Sequence, residues 1–500
     1  MNLALPVLSY AWFLAFLVPN RCHAILGTRE AIVSSYAKPT FEATFAGFLA
    51  ADGLPFADIL DEQQIQQICD EEEVHFGQGD DEIYSTAVTL WAWLSQCLSS
   101  SKSCVAAVAR VLVLRVALGL TPCSAATGGY CRARAKLTES FLRRLTLHVG
   151  TQVEQSAPKS WKPFGRRVLL ADGTECSMPD TDENQAEYPQ SSTQKKGLGF
   201  PTIRLLVLLT FATAGLVGGA MGPSKGKETG ETALFRELLD LLKAGDIVVA
   251  DRYHCTYWQL ALLPFGVDAV FRMHARRNYD FRKGKRLGAG DHVVTWDKPK
   301  CPEWRDEATY PSLPDKLTMR ELKVQINRDG FRVQEIIVAT TLLNEKRYSK
   351  SEVGQLYHHR WHVELDIRAI KQTLKMDILT CKTPEMIRKE IWTHLLVYNL
   401  VRKVMAQAAL EGKVEPRQLS FAGAVQTLNA FRWLLMLSEG NQRRELAKVA
   451  CIALGTHKVG NRPGRSEPRK VKRRPKPYGR LTKPRGEEKA RRTSEKKKKK

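Results

Sequence analysis

Several signatures that would assign this chain to a common functional class are missing. No two of its eleven cysteines are spaced C-x-x-C, so the sequence offers neither a zinc ribbon nor a thioredoxin-like redox site. An odd, scattered set of cysteines in a large chain is typical of a reducing compartment rather than of a disulfide scaffold. The glycine-rich stretch 215–230 lacks the pattern G-x-x-x-x-G-K-[ST], so nucleotide binding is not indicated.

Long apolar runs are missing as well. The first nineteen residues are uncharged and mostly apolar, but they lack the basic start of a secretory signal and are short and interrupted for a membrane span. No later segment reaches the ~18 uninterrupted apolar residues of a spanning helix. We therefore expect no stable membrane partner and treat residues 1–35 as an apolar segment of unassigned role. A secreted or membrane-tethered basic protein is the alternative.

Acidic residues are outnumbered, with 76 Lys and Arg against 53 Asp and Glu and a net charge of +23. A basic excess of this size points to a polyanionic partner, of which nucleic acid is the commonest. Most of the excess lies between Lys458 and Lys500, where 20 Lys or Arg stand against four Glu, so the rest of the chain carries only +7. Residues 457–500 are predicted to be a disordered basic tail, because their composition cannot bury a core. A solvated tail without DNA contact is the alternative.

The residues between these termini divide into segments of different periodicity. Residues 36–155 predict a helical domain, in which an apolar helix at 103–120 and a basic helix at 130–149 suit either DNA binding or an ordinary helical hairpin. Short apolar runs between 160 and 410 predict an α/β domain, interrupted at about 276–345 by a β-rich insertion. Residues 411–456 predict a C-terminal helical segment. The elements expected in the α/β part are strands at 168–171, 203–211, 215–221, 247–250, 267–273, 317–326 and 331–343, and helices at 229–243, 255–263, 350–376 and 385–409.

Two aspartates stand directly after apolar runs of strand length. Asp172 follows the run VLLA, and Asp251 follows the run IVVA. Functional groups gather at the carboxyl ends of strands in open α/β sheets, so both aspartates are candidates for a site. Many strands end in an aspartate before a turn, which makes each of them a weak signal alone and the pair a modest one.

A polar stripe lies on the predicted helix 350–376. At 100° per residue, four side chains fall within an arc of about 60°: Tyr357, Arg360, Glu364 and Lys371. A phenol, two cations and one carboxylate on a narrow stripe suit a site that needs an acid among groups that bind phosphates. The alternative is a solvated face with an Arg360–Glu364 ion pair, which would stabilise the helix by only ~0.3–0.5 kcal/mol.

These residues together resemble a known family. Tyr357-x2-Arg360-x3-Glu364-x6-Lys371 has the spacing of the Y-x2-R-x3-E-x6-K signature of IS4-type DDE transposases. Asp172-Gly173-Thr174 resembles the first acidic block of that family, and Asp251-Arg252-Tyr253 resembles the second. The resemblance covers about residues 160–410 and does not reach the basic tail.

The resemblance implies an α/β fold of the RNase H-like type, with a mixed sheet and a β-rich insertion between the second and third acids. It implies a DNA transposase that cuts and rejoins DNA, by a cut-and-paste route, in the bacterial cytoplasm at the nucleoid. Its cofactors would be two Mg²⁺ or Mn²⁺ ions, and its partners double-stranded DNA (element ends and target) and a second copy of the chain. A related nuclease or integrase, and an inactive descendant that only binds DNA, are the alternatives.

The resemblance also implies a role for each residue of the motif. Asp172 would bridge both ions, while Asp251 and Glu364 would each hold mainly one, so these three acids are the candidate catalytic and metal-binding residues. The candidate DNA-binding residues would hold phosphates near the cut, which sets alignment more than sequence preference; they are Tyr357, Arg360, Lys371 and Arg252.

Two weaker features complete the sequence. Trp296 and Trp304 lie in the insertion, where either could stack on a flipped base, although burial in a β core is the interpretation we favour. His358 and His362 have the i, i+4 spacing of some zinc sites, but His359 stands where the motif H-E-x-x-H requires its glutamate, so zinc is not expected.

Overall fold

The computed structural model describes residues 62–459, apart from positions 80, 81, 100, 194, 196, 227, 228, 275, 302–309, 327–333 and 439, together with a few isolated residues outside this span. The apolar segment 1–35 and all but the first three residues of the expected tail 457–500 lie outside this part of the chain, as does Trp304. No helix within the described residues is long and apolar enough to cross a membrane.

Within the described residues, five helices precede the sheet: α1 (Glu62–Glu71), α2 (Thr86–Leu98), α3 (Cys104–Ala117), α4 (Gly128–Lys136) and α5 (Glu139–Gln155). The single basic helix expected at 130–149 is wrong. Leu137 leaves the helical region, with φ −65° and ψ 125°, and Thr138 caps a new helix by accepting a hydrogen bond from the Phe141 amide. A threonine at this position competes for the backbone of the next turn and therefore ends one helix and begins another.

The basic side chains of α4 and α5 do not form one continuous face. Arg134 lies over the rings of Trp93 and Tyr130, and Arg144 pairs with two glutamates at the end of α1. Arg132, Lys136 and Arg143 are exposed. The positive surface that these helices offer is therefore smaller than the sequence suggests.

In the part of the chain that the structure describes, nine strands form one mixed sheet, in the order β3-β2-β1-β4-β5-β9-β8-β7-β6. The strands are β1 (Val168–Ser177), β2 (Thr202–Thr210), β3 (Leu216–Pro223), β4 (Ile247–Ala250), β5 (Asp268–Arg272), β6 (Lys285–Gly288), β7 (Asp291–Asp297), β8 (Lys316–Ile326) and β9 (Gln334–Thr340). β1, β4 and β5 are parallel, β2 runs antiparallel beside β1, and β3 pairs antiparallel with β2 at the edge of the sheet. This order and sense of five strands confirms the RNase H-like mixed sheet that the sequence predicts.

The β-rich insertion continues the same sheet. β9 pairs antiparallel with β5, and β8, β7 and β6 follow outward as a meander. The sequence predicts β8 and β9 but not β6 and β7, whose charged residues hide the alternation. Trp296 on β7 is buried, as favoured from the sequence, and its indole N–H donates to the Glu321 carboxylate at 2.9 Å.

Three short helices lie between strands: α6 (Asp182–Glu187), α7 (Glu231–Arg236) and α8 (Tyr257–Ala261). The helix expected at 229–243 is wrong in length, because it ends at Arg236 and a single 3₁₀ turn follows at Leu239–Leu241. The remaining helices are α9 (Lys350–His358), α10 (Trp361–Arg368), α11 (Pro384–Glu411), α12 (Phe421–Leu437) and α13 (Gly440–Thr456).

The sheet is covered on both faces, as buried parallel strands require. Side chains alternate along β1, so Val168 and Leu170 pack with α5 and α11, while Leu169 and Ala171 pack with α7 and α8. The long helix α11 is buried through most of its length and contacts both α5 and the C-terminal helices. The N-terminal helices thus share a core with the sheet.

The helix expected at 350–376 is wrong as one continuous element. α9 ends at His358, α10 begins at Trp361, and a π-helical turn follows at Ala369–Thr373. α9 starts at a capping box, in which Ser349 accepts from the Glu352 amide and the Glu352 carboxylate accepts from the Ser349 amide. This cap sets where the segment that carries the polar stripe begins.

We expect Ser349→Ala to lower the free energy of unfolding by about 1 kcal/mol, because an N-cap hydroxyl satisfies a helix amide that alanine leaves without a partner. Urea unfolding followed by circular dichroism measures the loss. Ser351→Ala is the matched control, since Ser351 is exposed within the first turn of the same helix and should change stability by less than about 0.5 kcal/mol. Equal losses in the two variants would remove the cap from the account of this helix.

Candidate active site

The register of the two central strands brings the two aspartates together. Leu170 on β1 lies opposite Val249 on β4, so two residues further along the chain Asp172 and Asp251 leave the strand pair at the same level. Neighbouring strands are about 4.8 Å apart, which places the backbones of the two aspartates side by side. Asp251 directly follows β4, as the sequence predicts.

Asp172 does not end its strand, which corrects the expectation for β1. The strand runs on to Ser177 because it keeps β2 as a partner after β4 has ended at Ala250. Asp172 therefore lies inside β1, where the side toward β4 has just become open. The site is an open edge beside a continuing strand.

Glu364 reaches this edge from α10, through the guanidinium of Arg360. One nitrogen of Arg360 lies 2.6 Å from the Glu364 carboxylate, and another lies 3.6 Å from that of Asp172. Arg360 is mostly buried, so the pairing acts in a region where water screens little. The positively charged guanidinium of Arg360 therefore lies between the carboxylates of Asp172 and Glu364, the first and third acids of the motif.

Burial makes Asp172 a weaker acid than a free aspartate. Loss of hydration raises the pKa of Asp172 to about 6, and the nearby charges of Glu231 and Glu364 also raise it. Arg360 and the Gly173 amide, which donates to Asp172 at 2.9 Å, offset this only in part. Burial first, and the neighbouring carboxylates second, therefore disfavour the charged form of Asp172.

The other residues of the stripe surround this edge. Tyr357 is buried, and burial raises the pKa of its hydroxyl to about 12 despite the neighbouring Arg360. The ammonium of Lys371 donates to the Thr174 hydroxyl at 3.1 Å and to the Glu175 carbonyl at 2.7 Å. The stripe therefore meets β1 beyond Asp172, although two helices and a π-helical turn carry it.

Arg252 lies at the exposed end of the site. It follows Asp251, and its guanidinium lies 5.4 Å from the ring centre of Tyr253, which is 55% exposed. An exposed cation stacked on an exposed ring can reach a nucleic-acid backbone without a change in the core.

Sequence reasoning missed one acid of the cluster, Glu231. It is the first residue of α7, and a Cβ placed on Gly173 would lie 2.4 Å from its carboxylate oxygen. Burial raises the pKa of Glu231, and the charge of Asp251 adds to this. No periodicity or motif singles out Glu231, because only the crossover after β3 brings it to the site.

Sequence reasoning also missed the anchor of α10. The buried carboxylate of Asp366 accepts hydrogen bonds from Arg402 at 2.5 Å and from Arg417 at 2.9 Å. Asp366 lies two residues after Glu364, on the opposite side of the helix, and ties it to α11 and to the turn before α12. Such a paired, buried carboxylate fixes the direction in which Glu364 points.

The histidines beside the stripe form no metal site in the described part of the chain. His359 and His362 pack against the ring of Phe211, with ring centres 5.2 and 6.2 Å away. Burial lowers the pKa of His362 to about 3, so its ring is neutral at physiological pH.

The acids of the edge fit a divalent cation chemically. Carboxylate oxygens are the ligands that Mg²⁺ and Mn²⁺ prefer, and Arg360 stands between Asp172 and Glu364 as a stand-in positive charge. As the side chains lie, no three ligating groups among the described residues converge on one point. Coordination would therefore require Arg360 to give way and the carboxylates to turn inward.

Comparisons with known proteins agree with this geometry. Residues 163–400 match the family described as "Transposase DDE domain". The chain is 29% identical over 363 residues to "Transposase InsG for insertion sequence element IS4" of Escherichia coli strain K12, which covers 69% of this chain and 76% of that protein. A shorter match, 32% over 69 residues, covers 14% of this chain and 19% of "Transposase for insertion sequence element IS421" of Escherichia coli.

Among solved structures, the piggyBac transposase in a synaptic complex with hairpin DNA aligns with 82% of this chain and 84% of its own, at 11% identity and a TM-score of 0.38.

An RNase H-like sheet with carboxylates at the open edge of its central strands, within a matching transposase DDE domain, defines the class of DDE transposases. Over its matched region the chain is similar to the IS4-type members of this class. Divalent metal ions are the cofactors of such enzymes.

Proposed function

We propose that this chain is the transposase of an insertion element, and that it binds the element ends and catalyses metal-dependent DNA cleavage and strand transfer by a cut-and-paste route. The observation that carries the proposal is the pairing of Asp172 and Asp251 at one level of the sheet, with Glu364 linked to them through Arg360. A buried cluster of acids that repel one another is stabilised by cations, which is the condition for binding catalytic metal ions.

The three acids of the motif have distinct roles in this proposal. When bound, two Mg²⁺ or Mn²⁺ ions activate the attacking oxygen and stabilise the leaving oxygen of an in-line displacement. Asp172 would hold both ions, while Asp251 and Glu364 would each hold mainly one. The Gly173 amide and Asp366 act before any chemistry, because they orient Asp172 and α10.

The cations of the site hold the DNA strand rather than the reacting atoms. Arg360 releases Asp172 and Glu364 and turns to a phosphate. The phosphate is anionic, like the two carboxylates, and can accept two hydrogen bonds from the guanidinium. Lys371 and Arg252 bind phosphates on either side of the cut. Tyr357 is buried beside Arg360 and helps to hold its guanidinium in position.

The wider assembly follows from what the reaction needs. Two DNA ends must be cut and joined to one target, so we propose that two copies of the chain act together on double-stranded DNA at the bacterial nucleoid. The helical region 36–155, with its exposed Arg132, Lys136 and Arg143, and the basic tail 457–500 would bind DNA outside the catalytic domain at 160–410.

The proposal is tested with the full-length chain and a labelled duplex that carries the ends of the flanking element, in Mg²⁺ and in chelator. We expect wild type to nick and release the ends in Mg²⁺ alone and to join them to a supercoiled target. Asp251→Asn, which conserves size and removes the charge, should bind the ends and leave them uncut.

The outcomes separate the proposed function from its alternatives. Cleavage without joining would indicate a nuclease. Intact binding with no cleavage by either protein would indicate a descendant that only binds DNA. Equal cleavage by wild type and Asp251→Asn would show that the activity comes from elsewhere.

A further inference from the structure

Glu231 stands at the active-site edge without a structural partner. Among the described residues its carboxylate takes part in no hydrogen bond and no ion pair, although it is half-buried. A half-buried carboxylate that neither pairs nor caps costs free energy, and such a cost is retained at functional sites. Two other acids of this edge are paired, the exposed Glu175 with Arg204 and the half-buried Glu364 with Arg360.

The chain makes room for Glu231 at one position of β1. Gly173 has no side chain, and the Glu231 carboxylate fills the space where a Cβ would stand, 2.4 Å from the ideal Cβ position. Gly173 does not have a positive φ, so no backbone conformation calls for glycine at this position. Close approach of the glutamate explains the glycine between Asp172 and Thr174.

The sheet gives Glu231 access to the same space as the aspartates. Gly173 faces the side of α7, and Asp172 faces the side of α10, because side chains alternate along β1. β4 has already ended at Ala250, so nothing in the sheet separates the two faces between Gly173 and Asp251. Glu231 therefore approaches the open edge from one face while Asp172 and Glu364 approach it from the other.

We infer that Glu231 is a fourth metal-binding carboxylate of this site, which completes the coordination of the cation held by Asp251 from the α7 face of the sheet. The inference rests on the proposed function, since it concerns the same metal site. It accounts for both the missing partner of Glu231 and the glycine that admits it. The charge of Asp251, which acts on Glu231, is the repulsion that a shared cation would relieve.

The test measures Mn²⁺ binding to the full-length, DNA-free chain by electron paramagnetic resonance, which counts free Mn²⁺ and needs no catalysis. We expect Glu231→Gln to weaken Mn²⁺ binding roughly tenfold or more, the size usual when a residue that supports a metal site is lost. Glu237→Gln, an exposed change just past the end of the same helix, should bind as wild type does.

Gly173→Ala provides a second, independent variant. Its added methyl group would displace the Glu231 carboxylate without removing any acid, so it should also weaken Mn²⁺ binding. In the Glu231→Gln background the same methyl group should have little further effect, because the two changes act on one contact.

Asp251→Asn distinguishes failure of this inference from failure of the proposed function. Weakened binding in Asp251→Asn with unchanged binding in Glu231→Gln would overturn the fourth ligand and leave the site standing. Unchanged binding in both variants would overturn the metal site itself. Weakened binding in both, with the predicted non-additivity of Gly173→Ala, supports the inference.

Discussion

Glu364→Gln is expected to reduce DNA cleavage roughly a thousandfold or more while leaving binding of the element ends within a few-fold of wild type. The amide keeps the size of the carboxylate and can still accept the hydrogen bond from Arg360, so α10 should remain in place. It cannot supply the negative charge that a divalent cation requires. Single-turnover cleavage of labelled ends and a gel-shift titration measure the two quantities separately.

A matched control is available on the same segment of the chain. Glu345 is exposed in the turn before α9 and shares no hydrogen bond or ion pair with the described residues of the site, so Glu345→Gln removes a carboxylate of the same kind and should cleave at the wild-type rate. If Glu364→Gln retained cleavage, Glu364 would not belong to the catalytic set. If it lost binding and cleavage together, the residue would serve structure or DNA contact instead.

The sequence predicts the acids at the sheet edge better than the shape of the edge itself. Asp251 was expected at a strand end and lies there, because the apolar run before it is bounded by polar residues on both sides. Asp172 was expected at the same kind of position and lies inside a longer strand. The length of β1 depends on β2, which keeps pairing with it as far as Ser177, and no local pattern reports that partnership.

The helix that carries Glu364 shows a second limit of local patterns. A period of 3.6 residues places Tyr357, Arg360, Glu364 and Lys371 on one side, and the structure brings all four to the same edge. It does so through a break at His359–Arg360 and a π-helical turn at Ala369–Thr373. No proline or glycine marks either irregularity, so only packing against the sheet can specify them.

Glu231 and Asp366 show what tertiary structure adds to a motif. Each is one acid in a segment without a recognisable pattern. The role of Asp366 depends on its ion pairs with two arginines that lie 36 and 51 residues away in the chain. The role of Glu231 depends on its close contact with Gly173, which lies on β1. The spacing of residues in the sequence can identify site residues that share one helix or one turn. Residues that crossover connections bring together from distant segments can be identified only from the three-dimensional structure.

Asp172→Asn is expected to stabilise the metal-free protein at neutral pH while it abolishes cleavage. The pKa of Asp172 is about 6 in the folded chain against an ordinary value of 3.8. Well below pH 3.8 the carboxyl group is protonated in both the folded and the unfolded chain, and it contributes no difference. As pH rises from 4 to 6 the unfolded chain loses this proton first, so the folded state loses up to about 3 kcal/mol. Asparagine avoids this loss, less whatever pairing with Arg360 it forfeits.

The stability gain of Asp172→Asn should therefore be absent near pH 2.5, reach about 0.5 kcal/mol at pH 4, grow to about 1–3 kcal/mol by pH 6.5 and stay level above that. Urea unfolding in chelator across this range measures it, with the exposed change Asp240→Asn as the control. Adding Mn²⁺ at pH 7.5 should then stabilise wild type and not the variant, because a ligand stabilises only the state that binds it. Equal stabilities at every pH would show that burial and the neighbouring acids do not destabilise the charged form of Asp172. A gain that Mn²⁺ fails to reverse would show that the repulsion does not serve metal binding.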